Sequence, residues 1–337
     1  MPSECDPHEL TLVSWPTERW DRDGLLNEAR LNYAAVIDAI AAFEPVMVVA
    51  DPVDANGARK QCPSGAEVVE VPLDDSWIRD NGPIVVRSDY GSRAALDFQF
   101  NAWGRKFPTW ERDDAVPRTL SELLGIERLE APIVLEGGSI SVDGEGTLIT
   151  TEQCLLDPSR NPDLSRGDLE RVLAEWLGVE KVIWLDRGLV EDLDTDGHVD
   201  NVCAFAAPGS VILQVVEDPG DPNFEACSRN REILEAESDA RGRRLEVTEM
   251  RQLPRAGHGD RAVAVPYTNF YVANGAVIVP VADDLVGSEE SSSPLATIAH
   301  SFPDREIVPV PSTTLARGGG GIHCITQQVP AGVSGGD

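Results

Sequence analysis

Lysine is almost missing from this chain. Lys60, Lys106 and Lys181 are its three representatives in 337 residues, and 28 lysines and arginines stand against 58 aspartates and glutamates, for a formal net charge of −30. So acidic a surface repels phosphate backbones and excludes nucleic acid as a natural partner. It also hastens the encounter of small cations with a cleft. The charge is spread along the whole chain, so solubility accounts for most of it. Cysteine is sparse and scattered: Cys5, Cys62, Cys154, Cys203, Cys227 and Cys324 form no C-x-x-C pair, which argues against a zinc site or a disulfide scaffold. No apolar run is long enough to span a bilayer. The opening Met1-Pro2-Ser3-Glu4-Cys5-Asp6 has neither the basic start nor the apolar stretch of a secretory signal, so a cytoplasmic protein with reduced thiols is expected. A phosphate loop, a dinucleotide fingerprint and a G-x-S-x-G elbow are also lacking.

What is present is an alternation of helical and extended patterns, 42% hydrophobic and 26% charged overall. Apolar residues at helical spacing (Leu31, Ala34, Ala35, Ile37, Ala41) predict a helix over 27–43, followed by a buried strand at 46–50. Strands are expected at 84–86 and 95–98, and a short helix at 117–124 with Pro117 in its first turn. Residues 133–135 and 147–149 read as a strand pair across the turn Asp143-Gly144-Glu145-Gly146. Further along come a helix at 164–177, strands at 181–185, 199–205 and 211–215, a helix at 224–241, strands at 245–249, 270–272 and 276–281, a polar loop at 287–294 and a strand at 307–310. The pattern returns roughly every sixty to seventy residues without a sequence repeat. Alternation alone makes a doubly wound sheet the default; the interleaved hairpins point instead to small mixed sheets around a centre. One compact α/β domain over 1–337 is expected, with 331–337 as a flexible tail.

Four strings carry chemistry. Cys324 ends Gly318-Gly319-Gly320-Gly321-Ile322-His323-Cys324, where glycines admit close approach of backbone or ligand and a thiol follows at the mouth of an expected strand. Asp80 lies in Trp77-Ile78-Arg79-Asp80-Asn81-Gly82-Pro83. Its carboxylate suits the fork of a planar cation, and Trp77 can pack on that cation's face. In Gly197-His198-Val199-Asp200-Asn201, an extended backbone would put His198 and Asp200 on one face, an acid–base group beside a carboxylate. Metal binding is the rival there, but one His and one Asp make a weak donor set. Glu136, in Leu135-Glu136-Gly137-Gly138-Ser139, is a further acceptor for the same cleft. His323 adjoins Cys324, but on an extended strand the two would point to opposite faces, so a structural role is expected for it.

Taken in order, these strings resemble the agmatine deiminases of the guanidine-modifying pentein superfamily. Asp6-Pro7-His8-Glu9, Ser14-Trp15-Pro16, Phe100-Asn101-Ala102-Trp103-Gly104, Asn269 to Gly275 and Ile322 to Gln328 extend the likeness over the chain. The resemblance implies a five-bladed α/β propeller (pentein) with pseudo-fivefold symmetry. It implies hydrolysis of agmatine to N-carbamoylputrescine and ammonia, in putrescine (polyamine) biosynthesis, through a covalent thiouronium on cysteine. By carry-over Cys324 is the nucleophile, His198 the general acid/base, and Asp80 and Asp200 hold the guanidinium. Trp77, Glu136, Asp194 and Gly320 are the expected substrate contacts, with Asp194, Asp196 and Glu136 as candidates for the distal amine. No metal or organic cofactor is implied, and a homodimer stays open. The alternatives are a deiminase for peptidyl-arginine or another guanidino compound and, in a different class, a non-catalytic pentein binding protein. The chain departs from the family's habit at Gly321 (commonly asparagine), Ser141 (a larger polar residue) and Cys5 (an aromatic).

Overall fold

The computed structural model describes residues 1–88, 90–257 and 262–332; of the expected tail, 333–337 lie outside the described residues. Five mixed sheets repeat one pattern. An antiparallel pair is followed by a strand parallel to its second member, and the crossover to that strand runs through a helix. The pattern is seen in Ile84–Arg87, Arg93–Gln99 and Glu127–Val134 with helix Val116–Leu124. It recurs in Ser141–Val142, Thr147–Thr151 and Lys181–Leu185 with helix Arg166–Leu177. Cys203–Ala207, Ser210–Gln214 and Glu246–Met250 follow with helix Phe224–Ala236, then Tyr271–Ala273, Ala276–Val281 and Glu306–Pro311 with helix Glu289–Ser301. The remaining sheet has four strands. There the antiparallel partner of His8–Ser14 is Thr326–Pro330, from the far end of the sequence, and Val46–Ala50 and Ala66–Glu70 follow in parallel. A two-stranded ribbon, Arg255–Ala256 with Val263–Ala264, stands apart.

Local chemistry explains most boundaries. Ser165 and Asp168 form a reciprocal capping box that starts helix Arg166–Leu177, and Gly178 ends it in the left-handed conformation. Helix Leu26–Ala41 buries Ala29, Tyr33, Val36, Ile37 and Ile40, each large aliphatic contributing about 1.5–3 kcal/mol by burial. That stripe is rotated from the expected one, and Leu31 is 66% exposed. The expected pairing of 133–135 with 147–149 does not form. Glu127–Val134 pairs with Arg93–Gln99, and the hairpin across Asp143 to Gly146 is made by Ser141–Val142. The polar stretch 287–294 is largely helical rather than loop. Ser288 accepts from the Ser291 N–H to cap the helix, and Ser291, Pro294 and Ile298 form its buried face. Among the described residues no helix is long and apolar enough to cross a membrane.

Candidate active site

Each of the five sheets begins just after a short turn, and these five turns carry the chemistry. Asp80 is in helix Ile78–Asn81, ahead of Ile84–Arg87. Gly138 is in the 3-10 turn Gly137–Ser139, ahead of Ser141–Val142. His198 caps, and Asp200 lies in, the turn Val199–Asn201 ahead of Cys203–Ala207. Asn269 precedes Tyr271–Ala273, and Cys324 sits in the turn His323–Ile325 ahead of Thr326–Pro330. The extended backbone expected at 198–200 is therefore absent. His198 and Asp200 meet because a tight turn brings them together, not because a strand puts them on one face.

Gly138 marks where they converge. A Cβ there would stand 2.6 Å from His198 Nδ1, 2.9 Å from Asp80 Oδ1 and 3.0 Å from Asp200 Oδ2, so any side chain would fill the junction. Asp80 Oδ1 lies 3.8 Å from His198 Nδ1. It accepts from the Gly138 N–H at 2.9 Å, while Asp80 Oδ2 accepts from Trp103 Nε1 at 2.9 Å. Cys324, 5% exposed, has its Sγ 3.4 Å from Asp200 Oδ2 and accepts from Asn269 Nδ2 at 3.3 Å. Burial, then the carboxylates of Asp200 and Asp80, push the thiol well above its ordinary range. Burial, opposed by His198 but reinforced by Asp200, also raises Asp80. Asp200 moves the other way. Its burial is outweighed by His323, whose Nδ1 lies 3.0 Å from Asp200 Oδ2. The expected separation of His323 from the cysteine's surroundings fails because 323–325 is a turn rather than a strand.

His198 is fixed from behind. Its N–H donates to Asp192 Oδ2 at 3.0 Å, and the same carboxylate accepts from Thr195 and Asn201. Neither ring nitrogen has a hydrogen-bond partner among the described residues. A Glu136 oxygen, the Cys154 thiol and the His198 ring lie within 4.8 Å of one another. As a metal donor set this is poor, because Arg160 Nε donates to Glu136 Oε1 at 3.0 Å with both side chains wholly buried. Burial also lifts the Cys154 thiol far above its ordinary range. Glu136 Oε1 is thus committed to Arg160, while Glu136 Oε2 is buried and without a partner among the described residues. Arg160 also donates to Asp196 and to the Thr195 carbonyl, and Lys106 pairs with Asp196 at 2.7 Å, so Asp196 belongs to this buttress.

Asp194 stays open. It lines a cavity of about 370 Å³ with Glu191, Asp192, Asn201, Gly319 and Gly320, and none of the described residues lining that cavity is basic. Trp77 stacks on Trp20 with ring centroids 5.4 Å apart. A Cβ on Gly320 would stand 2.4 Å from Trp77 and 3.1 Å from Cys324 Cβ; glycine there lets the loop lie flat between the indole and the thiol. Sequence reasoning missed Asn269, Trp103, Arg160 and Glu4. Asn269 and Trp103 lay inside strings already singled out, and that membership was the available signal.

A family model described as Porphyromonas-type peptidyl-arginine deiminase matches residues 1–330. An agmatine deiminase of Pseudomonas aeruginosa is 42% identical over 98% of this chain and 95% of its own length. Among solved structures, the agmatine deiminase of Enterococcus faecalis superposes with a TM-score of 0.93 at 35% identity, covering 98% of this chain and 95% of that one. A C. jejuni agmatine deiminase in a cysteine-to-serine form with substrate bound gives 0.87 at 28% identity, with 98% and 96% covered.

Proposed function

The chain belongs to the Porphyromonas-type peptidyl-arginine deiminase family, and on that footing we propose that it is a hydrolase of linear amidines that converts agmatine and water to N-carbamoylputrescine and ammonia. The observation that carries this reading is the convergence of two carboxylates, an imidazole and a thiol around Gly138. The five repeated sheets, each led by a turn that contributes to the site, support the finer reading of the fold as a five-bladed propeller.

In this mechanism Asp80 and Asp200 take paired N–H groups of the guanidinium, fixing its plane and its central carbon before Cys324 Sγ. The free thiol is protonated, since burial and both carboxylates raise it. The bound cation offsets those carboxylates and makes the thiolate accessible. Sulfur passes its proton to His198 as it attacks the central carbon; His198 delivers that proton to the departing nitrogen, and ammonia leaves an S-alkylthiouronium. His198 then takes a proton from water as the water attacks, and collapse of the adduct frees the thiolate and the carbamoyl product. Glu136, neutralised by Arg160, supports His198. Trp77 and Gly320 border the thiol, and Asp194 at the acidic rim receives the distal ammonium.

An arginine carboxylate would face Asp192 and Asp194; Glu191 is paired with Arg255 at 2.7 Å, Lys106 is held on the Leu193 and Asp194 carbonyls, and none of the described residues lining the cavity is basic. Arg79, the one basic residue of the matched strings near the site, is turned to Glu4, Gln328 and the His323 carbonyl. Like-charge placement of this kind costs several kcal/mol, so kcat/KM for agmatine should exceed that for free arginine by about a hundredfold or more. Ammonia release from agmatine, arginine and a C-terminal-arginine peptide, measured side by side, tests this; equal rates would refute the substrate assignment. Cys324→Ser should lose about a thousandfold or more in kcat. Intact-mass analysis of quenched wild-type enzyme should find the adduct on Cys324, and an adduct on another cysteine would overturn the mechanism.

A further inference from the structure

His323 is held between two carboxylates. Its Nδ1 lies 3.0 Å from Asp200 Oδ2, and its Nε2 lies 2.9 and 3.1 Å from the two oxygens of Glu4. An ionised carboxylate only accepts, so both ring nitrogens must donate, and a ring that donates from both is an imidazolium. The remaining charged group facing the ring is Arg79, 2% exposed, whose Nη1 lies 3.3 Å from Glu4 and whose Nε donates to the His323 carbonyl at 3.3 Å. The buried Arg79, His323 and Asp200 and the partly exposed Glu4 thus form a quartet of two cations and two anions. Cys324 stands on Asp200 beyond it.

We propose that His323 is a positioning residue that carries a standing positive charge, holding Asp200 ionised and oriented toward the guanidinium, with Glu4 as the counter-ion that keeps the ring protonated. Asp200 Oδ2 is tied to the ring, and Asp200 Oδ1, buried and without a partner among the described residues, is left for the substrate. Apart from Arg79, the Glu4 carboxylate has no other hydrogen-bond partner among the described residues than His323. Its segment is pinned by His8, whose Nε2 lies 3.1 Å from the Glu4 carbonyl and whose Nδ1 lies 3.1 Å from Glu44 Oε1. That gives the Asp6-Pro7-His8-Glu9 string a purpose: it anchors the residue that charges His323. Directions of titration agree. Burial would raise Glu4, but His323 and Arg79 hold it at about 2. Burial and Arg79 would lower His323, but Glu4 and Asp200 carry it above its ordinary value.

The test uses the full chain, uniformly ¹⁵N-labelled. Long-range ¹H–¹⁵N correlation resolves five histidines, and His323→Asn identifies the missing set. Both His323 ring nitrogens are expected to carry protons at about pH 7.5, a full unit above the ordinary histidine midpoint. A neutral tautomer there overturns the proposal, and this arm needs neither a variant that folds perfectly nor any substrate. The kinetic arm rests on the agmatine reading. In Glu4→Gln, where Asp200 alone opposes burial and Arg79, the loss in kcat/KM should be smallest at the acid end of the profile and grow as pH rises, to about tenfold or more near pH 8.5. A purely structural Glu4 would give a loss independent of pH, which also overturns the proposal. If folded wild-type protein turns over no guanidine, the agmatine reading fails by itself, and the ring spectrum alone decides this one.

Discussion

Asp80 and Asp200 are the same residue type, equally buried, converging on the same glycine, and the protein treats them oppositely. Asp80 is met by neutral donors, Trp103 Nε1 and the Gly138 N–H, and its carboxyl is raised. Asp200 is met by His323, itself bonded to Glu4, and its carboxyl is lowered. Burial pushes both up; the difference is whether a counter-charge stands within reach. One wall of the site therefore has its charge balanced in advance, and the other gains its full complement when a cationic substrate arrives. A site built this way binds cations through the unbalanced wall while keeping a fixed reference geometry at the balanced one.

The largest effects should come from removing either charge. Asp80→Asn and Asp200→Asn should each lower kcat/KM for agmatine by about a hundredfold or more, yet differ in stability. Asp80→Asn exchanges an accepted hydrogen bond for relief of an unbalanced buried charge and should melt close to wild type. Asp200→Asn strands the His323 cation and should melt several degrees lower, as breaking a buried pair by one partner does. Equal shifts in calorimetry would erase the distinction. Next in size is Trp103→Phe. Losing its donor raises Asp80 further, so the acid limb of kcat/KM should move to higher pH with about a tenfold loss near neutrality. A limb that stays in place would mean that Asp80 does not govern it. The smallest effect is in the pH dependence of melting. His323 is raised, so its stabilisation is full below the ordinary histidine midpoint of about 6.5 and fades as pH climbs through the folded value. Glu4 and Asp200 are lowered, so theirs is full above ordinary carboxylate values and fades as pH falls, for Glu4 toward about 2. Wild type should lose a few degrees of melting temperature above about pH 6.5 that His323→Asn does not lose.

The sequence carried the site further than it carried the fold's symmetry. Val46–Ala50, Lys181–Leu185 and Ala276–Val281 were legible because unbroken apolar runs between turn residues leave little choice. The turns at 199–201 and 323–325 were not, because apolar residues at a short 3-10 turn look like the strand that follows them. That is why His198 and Asp200 come together through a turn rather than on one strand face, and why His323 was set aside. Trp103 and Asn269 were visible as letters, but their partners Asp80 and Cys324 lie 23 and 55 residues away, and no spacing rule reaches that far. Two departures at single positions have local accounts. An Asn side chain at Gly321 would begin 2.3 Å from Asn269 Oδ1, so Asn269 occupies that place. Ser141 Oγ accepts from the Phe205 N–H at 3.2 Å.

Residues 8–14 pair with 326–330, and Glu4 meets His323 across 319 positions of chain. During synthesis this sets an order. Four of the five sheets can close from contiguous stretches as they leave the ribosome, but the sheet holding His8–Ser14 lacks its antiparallel strand until residue 330 has emerged. At about 5–20 residues per second that wait is tens of seconds, with the edge of His8–Ser14 open to other strands meanwhile. Cys324 and its neighbours arrive on the same late segment. Nascent chains stalled short of Thr326 should therefore expose that edge and hold no assembled thiol site, so the catalytic centre and the closure of the fold become a single final event.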